Sequence, residues 1–161
     1  MANDACWDMR VVSKSKEAIE RLYRILRYED EEYFMYGVFE AWHSESDTEW
    51  IDEEDGYYVA DLWGEVAWGM DAWFDPDEQR HGLYEGPLEG HPNARYATMM
   101  ELCPLLDIGV EAFCAEPMLD IQQHAIVDHA GTIVLWQEGD DVPDPPEDSP
   151  AWRPNNEIYG E

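Results

Sequence analysis

Polar and apolar positions alternate over residues 6–12, CWDMRVV, which predicts a first strand with Trp7, Met9 and Val11 on one face. The period then changes. Ala18, Ile19, Leu22, Ile25 and Leu26 recur at helical spacing over residues 16–28, with Arg21 and Arg24 on the opposite, wet side. Ser13 or Ser15 is placed to cap this helix, and Glu17 falls in its first turn. Residues 33–43, YFMYGVFEAWH, read as an aromatic strand, and residues 57–68, YYVADLWGEVAW, as a second long one. Between them lies an acidic connection whose DEEDG run reads as a hairpin end. Residues 69–93, punctuated by glycine and proline, read as irregular, with Trp73 and Phe74 tucked against the sheet.

A second helix is predicted over 94–103, with Asn93 as its cap. Tyr96, Met99, Met100 and Cys103 form its apolar face, and Pro104 terminates it. Residues 108–115 read as a strand, and 121–128 with 132–137 as a hairpin around Asp128–Gly131. From Glu138 onward come five of the ten prolines, Pro143, Pro145, Pro146, Pro150 and Pro154, with little apolar content. The order β-α-β-β-α-β-β predicts an α+β fold: a ferredoxin-like antiparallel sheet with two helices on one face. Residues 1–137 form the domain, 43–93 its acidic middle insertion, and 138–161 an acidic, Pro-rich flexible tail.

Charge changes this picture. Acidic residues number 38 against 9 Lys and Arg, a formal charge of −29 on 161 residues. Aromatic residues make up 13%, too many for a disordered acidic tail, so the acidity belongs to a folded chain. The distribution is uneven: residues 1–27 hold six bases and four acids, and residues 28–161 hold 34 acids and three bases. Such a surface excludes direct gripping of nucleic acid or an anionic membrane. No apolar run approaches the roughly 20 residues of a membrane span, and the N-terminus lacks the basic and apolar regions of a secretory signal. Cys6, Cys103 and Cys114 are odd in number and scattered, as expected of reduced core or strand residues in a cytoplasmic protein.

The N-terminal MAN with Cys6, Arg10-Val11-Val12 and SKSKEAIERLYRIL resembles the YubB-type ferredoxin-like proteins of plasmids, phages and conjugative elements. The second half carries a matching pattern, ATMMELCPLLDIGVEAFCAEP followed by a short hairpin with Gly131 at its turn. The resemblance covers about two thirds of the chain and departs in the acidic middle, residues 40–92. It implies a fold and a mobile-genetic-element context, and it transfers no catalytic residues.

Site motifs are absent from the sequence. It contains no Walker, Rossmann, zincin or nucleophile-elbow pattern. Asp52–Gly56 begins like a calcium loop, but the fifth and twelfth positions are Gly56 and Trp63 rather than ligands. His124, His129, Cys103 and Cys114 lack zinc-site spacing. The expectation is a non-enzyme with no cofactor, no metal site and no catalytic residue.

The acidic, aromatic-laced middle is the remaining signal. Glu45, Asp47 and Glu49 are spaced two apart, so an extended chain sets them about 6.6–6.8 Å from one another. Two nucleotide rises of a DNA strand, at about 3.4 Å each, match that spacing. Asp52, Glu53, Glu54 and Asp55 continue the cluster, and Glu65, Asp71, Asp75 and Asp77 extend the stripe. Solvation suffices for any single carboxylate; the collective excess calls for a basic partner, a salt-loving source or a purely solubilising role. The first is the function expected here: a DNA-mimic inhibitor (anti-CRISPR or anti-restriction) that blocks the DNA-binding surface of a host defence complex. An immunity-like or adaptor protein neutralising one basic partner is the alternative. Trp63, Phe39 and Tyr58 are expected in the strand core; for Trp42, Trp50 and Trp68 the choice between core packing and stacking on a partner's arginine stays open.

Overall fold

In a computed structural model, residues 4–43, 49–54, 56–67, 69–74, 93–118 and 120–143 are described. Strand β1 (Asp4–Ser13) alternates between exposed and buried positions as far as Met9 and ends on three buried residues, with Trp7, Met9 and Val11 fully buried. Ser15 caps helix α1 (Lys16–Leu26) by accepting the Ala18 N–H. All five apolar positions of the predicted helical stripe are buried.

The expected strand over 33–43 is broken. Tyr33–Phe34 forms β2, and Gly37, at φ +76°, turns the chain into β3 (Val38–His43). The acidic connection itself contains a strand, β4 (Ile51–Glu54), joined to β5 (Tyr57–Ala67) through Gly56, at φ +86°. The irregular stretch begins with a one-turn helix, α2 (Asp71–Phe74), and Trp73 and Phe74 are buried as expected.

Arg95–Tyr96 forms β6, parallel to β2, so the second long helix begins later than expected. Helix α3 is Met99–Leu106, and Thr98, not Asn93, is its N-cap residue. Pro104 lies inside its last turn, and the chain leaves the helix at Asp107, with φ 59°. The inward face is Met99, Leu102, Cys103 and Leu106; Met100 is only partly buried. Strands β7 (Ile108–Glu116), β8 (Ile121–Val127) and β9 (Ile133–Gly139) follow, and Asp128 accepts the Ala130 and Thr132 N–H groups at the β8–β9 turn.

The fold is α+β. Seven strands form one sheet in the order β3-β5-β1-β7-β8-β9, and β4 extends the β3 edge by pairing with the start of β5. Every pairing in this sheet is antiparallel. Three helices are present among the described residues, where the sequence predicts two. All three contribute to one apolar cluster with the inward residues of the sheet. Trp7 and Trp73 meet edge to face at 5.4 Å within it, and the Trp73 indole donates to the Tyr36 carbonyl.

Asp30, buried behind α1, shows how a charge is kept inside. Burial pushes its carboxyl up, but the Arg21 guanidinium and the Glu32 and Tyr33 N–H groups outweigh this and hold it below the usual range. Its stabilising contribution is therefore present above the ordinary aspartate value and fades as pH falls through the lowered one. Cys103 and Cys114 are buried and Cys6 is exposed, all three as free thiols. Burial pushes the Cys114 thiol up to about 12 and Cys103 higher still.

Candidate functional site

Among the described residues, the helices pack on one face of the sheet and none packs on the other. The register shows what faces outward there. Cys6, Asp8, Arg10 and Val12 of β1 stand opposite Glu65, Trp63, Asp61 and Val59 of β5, and opposite Ala115, Phe113, Glu111 and Gly109 of β7. The apolar cluster on this side, Val12, Tyr57, Val59 and Ile126, is built from strand residues alone.

Trp63 is 47% exposed and Phe39 53%, contrary to their expected place in the core. The reason is the phase of the alternation in β5: Ala60, Leu62 and Val66 take the inward positions, so Trp63 is turned outward. In β3 a bulge between Val38 and Glu40 leaves Phe39 outside. Trp42 is 41% exposed and lies directly opposite Trp63. Tyr58 is half-buried against the core. Trp50 is partly buried: it stacks on His43 at 4.5 Å and packs against Tyr23.

The carboxylates follow the same geometry. Glu40 pairs with Glu65 in the rung next to Trp42–Trp63. Asp8 and Asp61 flank Trp63 on the neighbouring rungs, and Arg10 Nε donates to Asp61 Oδ1 at 2.7 Å. Asp52 and Glu54 stand opposite Val59 and Tyr57 on this face, and Glu53 lies between them, exposed on the other side of β4. Asp61 sits where β5 passes from pairing with β3 to pairing with β4. There an open cleft of about 460 Å³ is lined by Arg10, Trp50 and four carboxylates, those of Asp52, Glu53, Glu54 and Asp61.

The sequence-predicted site is thus brought together in part. Glu65, Asp52 and Glu54 share the open face, and Glu53 borders the same cleft. Glu49 lies apart, exposed and within 3.4 Å of Lys16 Nζ. Asp71 belongs elsewhere: it starts α2 and accepts a hydrogen bond from Gln123, which also reaches Glu138 at 2.6 Å. Glu45, Asp47, Asp55, Asp75, Asp77 and Trp68, and the tail beyond residue 143, lie outside the described residues. Glu40, Asp8 and Asp61 escape a count of clustered acids because they stand outside the dense acidic run. Their signal is strand alternation carried through from Tyr57 to Glu65 and matched to β1 and β3.

Like charges crowd this face. Partial desolvation, the charge and hydrogen bond of Glu40, and the Asp4 charge together hold the Glu65 carboxyl above the ordinary glutamate range. A carboxyl raised in the folded state penalises folding at neutral pH, and the penalty fades as pH falls through the raised value. Glu40→Gln is therefore expected to raise the melting temperature at neutral pH and to shrink the gain seen on acidification. Thermal melts of both proteins over that range check this; a lower melting temperature at neutral pH contradicts it.

Farther across the sheet, buried Glu111 contacts His124 Nε2 through Oε2 at 2.5 Å, and its Oε1 has no hydrogen-bond partner among the described residues. Among those residues no group of three His, Cys, Asp or Glu side chains is arranged to hold a metal ion. No helix there is long and apolar enough to cross a membrane.

Fold and site together define an acidic α+β protein in which one sheet face, opposite the described helices, joins exposed aromatics to carboxylates. No protein-family model, curated protein or solved structure matches the chain.

Proposed function

We propose that the chain is a non-enzymatic DNA-mimic inhibitor of mobile-element origin, acting in the cytoplasm on a basic nucleic-acid-binding protein of host defence. One observation carries this reading. Asp8, Glu40, Asp52, Glu54, Asp61 and Glu65 share one sheet face with Arg10, opposite the face on which the described helices pack, so a rigid scaffold presents an anionic surface. Nucleic-acid enzymes line their channels with Lys and Arg, and a fixed polyanion exploits the same long-range attraction with less ordering on binding.

The strand order supports the ferredoxin-like part of the reading. With β1, β3, β5 and β7 counted as strands one to four, they lie in the order 2-3-1-4, as in two interleaved β-α-β units. Strands β8 and β9 then extend the sheet beyond β7. This arrangement supports the ferredoxin-like fold that the YubB-type resemblance implies.

The test is competition. Against a purified restriction endonuclease or CRISPR surveillance complex that it inhibits, the protein should raise the apparent Kd for duplex DNA in proportion to its own concentration. The effect should weaken with salt, as the Debye length falls from about 10 Å at 0.1 M to about 3 Å at 1 M. Inhibition that leaves DNA binding intact would sink mimicry. It would favour a second reading, an immunity-like or adaptor protein neutralising one basic partner, for which the exposed Trp42–Trp63 pair speaks.

A further inference from the structure

Two kinds of pair follow one another along the β3–β5 ladder on the open face. Trp42 stands opposite Trp63, and Glu40 opposite Glu65. On one strand these positions are two residues apart, about 6.8 Å. A planar cation lying on an indole can therefore reach a carboxylate of the adjoining rung. Guanidinium suits this better than ammonium: it stacks flat on a ring, holds water less tightly and donates in a fork to a carboxylate.

The chain already holds its own arginines in this way. Arg27 lies 4.9 Å from the Trp42 centroid and 3.6 Å from Glu29. Arg21 lies 5.5 Å from the Tyr33 ring and pairs with Asp30 and Glu32. Arg95 lies 5.0 Å from the same ring and 3.1 Å from Glu101. Ring plus carboxylate is a recurring arginine seat here, and Trp63 with Glu65 and Asp61 supplies the same two components on an open sheet face.

Resting on the basic-partner reading above, we propose that Trp63 with the Glu40–Glu65 rung and Asp61, bordered by Phe39 and by Trp42 (whose ring already carries Arg27), is the docking seat for arginine side chains of that partner. The occupant is a protein segment bearing arginine. Charge complementarity selects a cation, and the exposed indoles select guanidinium over ammonium. This places specificity on the sheet face and leaves the acidic β4 cleft with a general attraction for positive charge.

A short peptide alternating arginine and glycine, and its lysine counterpart, test the assignment at low salt. The arginine peptide should bind about two- to fivefold more tightly. It should also shift the indole N–H resonances of Trp42 and Trp63. Trp63→Ala should abolish the arginine preference while lysine-peptide binding persists. Trp63→Phe keeps a ring in place, so a reduced preference in that variant guards against mere loss of fold. Equal affinities, or shifts confined to Asp52–Glu54, overturn the seat and leave the basic-partner reading standing. Failure of both peptides to bind overturns both.

Discussion

Gly64→Ala is expected to lower the unfolding free energy by about 3 kcal/mol, the upper end for overpacking a filled site. A Cβ at Gly64 would lie 1.8 Å from the Glu40 carbonyl oxygen, 2.6 Å from its carbon and 3.0 Å from the Trp7 ring. None of these neighbours is the free end of a flexible chain. The Glu40 peptide belongs to β3, which pairs with β5 just after the Val38–Glu40 bulge. Trp7 is fully buried in the core. The added methyl must therefore push β3 away from β5, and with it Glu40 and Trp42. Urea unfolding gives the stability change, and the Trp42 indole resonance reports the displacement. Gly56→Ala is the comparison: nothing lies within 4 Å of its Cβ, and only its φ of +86° opposes a side chain. That costs about 1–2 kcal/mol. Equal or smaller loss at Gly64 would mean that β3 does not press on β5 as described.

Replacing Glu40, Asp52, Glu53, Glu54, Asp61 and Glu65 together by their amides should slow association with the basic partner by about a hundredfold. The formal charge falls only from −29 to −23, because six charges are removed, so the effect tests place more than total. The two proteins should converge at high salt, where exposed charges are screened. Stability should hold or rise, since the crowding around Glu65 is relieved while the exposed Arg10–Asp61 pair contributes little. Stopped-flow association across a salt series, with a melt of each protein, separates charge from unfolding. An unchanged rate and salt slope in a folded variant would place the docking surface elsewhere.

Local patterns were legible where one residue's neighbours decide its environment. The α1 stripe, the β1 alternation and the β8–β9 turn at Asp128 are periodic or turn signals that need no distant partner. The break at Gly37 is not legible in the sequence, because an aromatic run reads as one strand until a positive φ interrupts it. Strand β4 was hidden because three of its four residues are acidic, and its pairing with β5 overrides their low strand propensity. The site was less legible than the fold. Counting acids found Asp52, Glu53, Glu54 and Glu65, and also Asp71, which the fold assigns to a hydrogen-bond cluster with Gln123.

From the sequence alone follow an acidic α+β chain, its near-neutral β-α start, and a large uncompensated negative charge thereafter. These depend on composition and on periods of two and 3.6 residues, which are properties of the chain itself. Only the tertiary structure decided which side of each strand met the helices. Alternation divides a strand into two sets but does not say which is buried when both contain aromatics. Packing against α1 and α3 chose Leu62 and Val66 for the core and turned Trp63 and Glu65 outward. Pairing with β3 then set Trp42 and Glu40 beside them. Residues distant in sequence thereby became one aromatic and acidic surface.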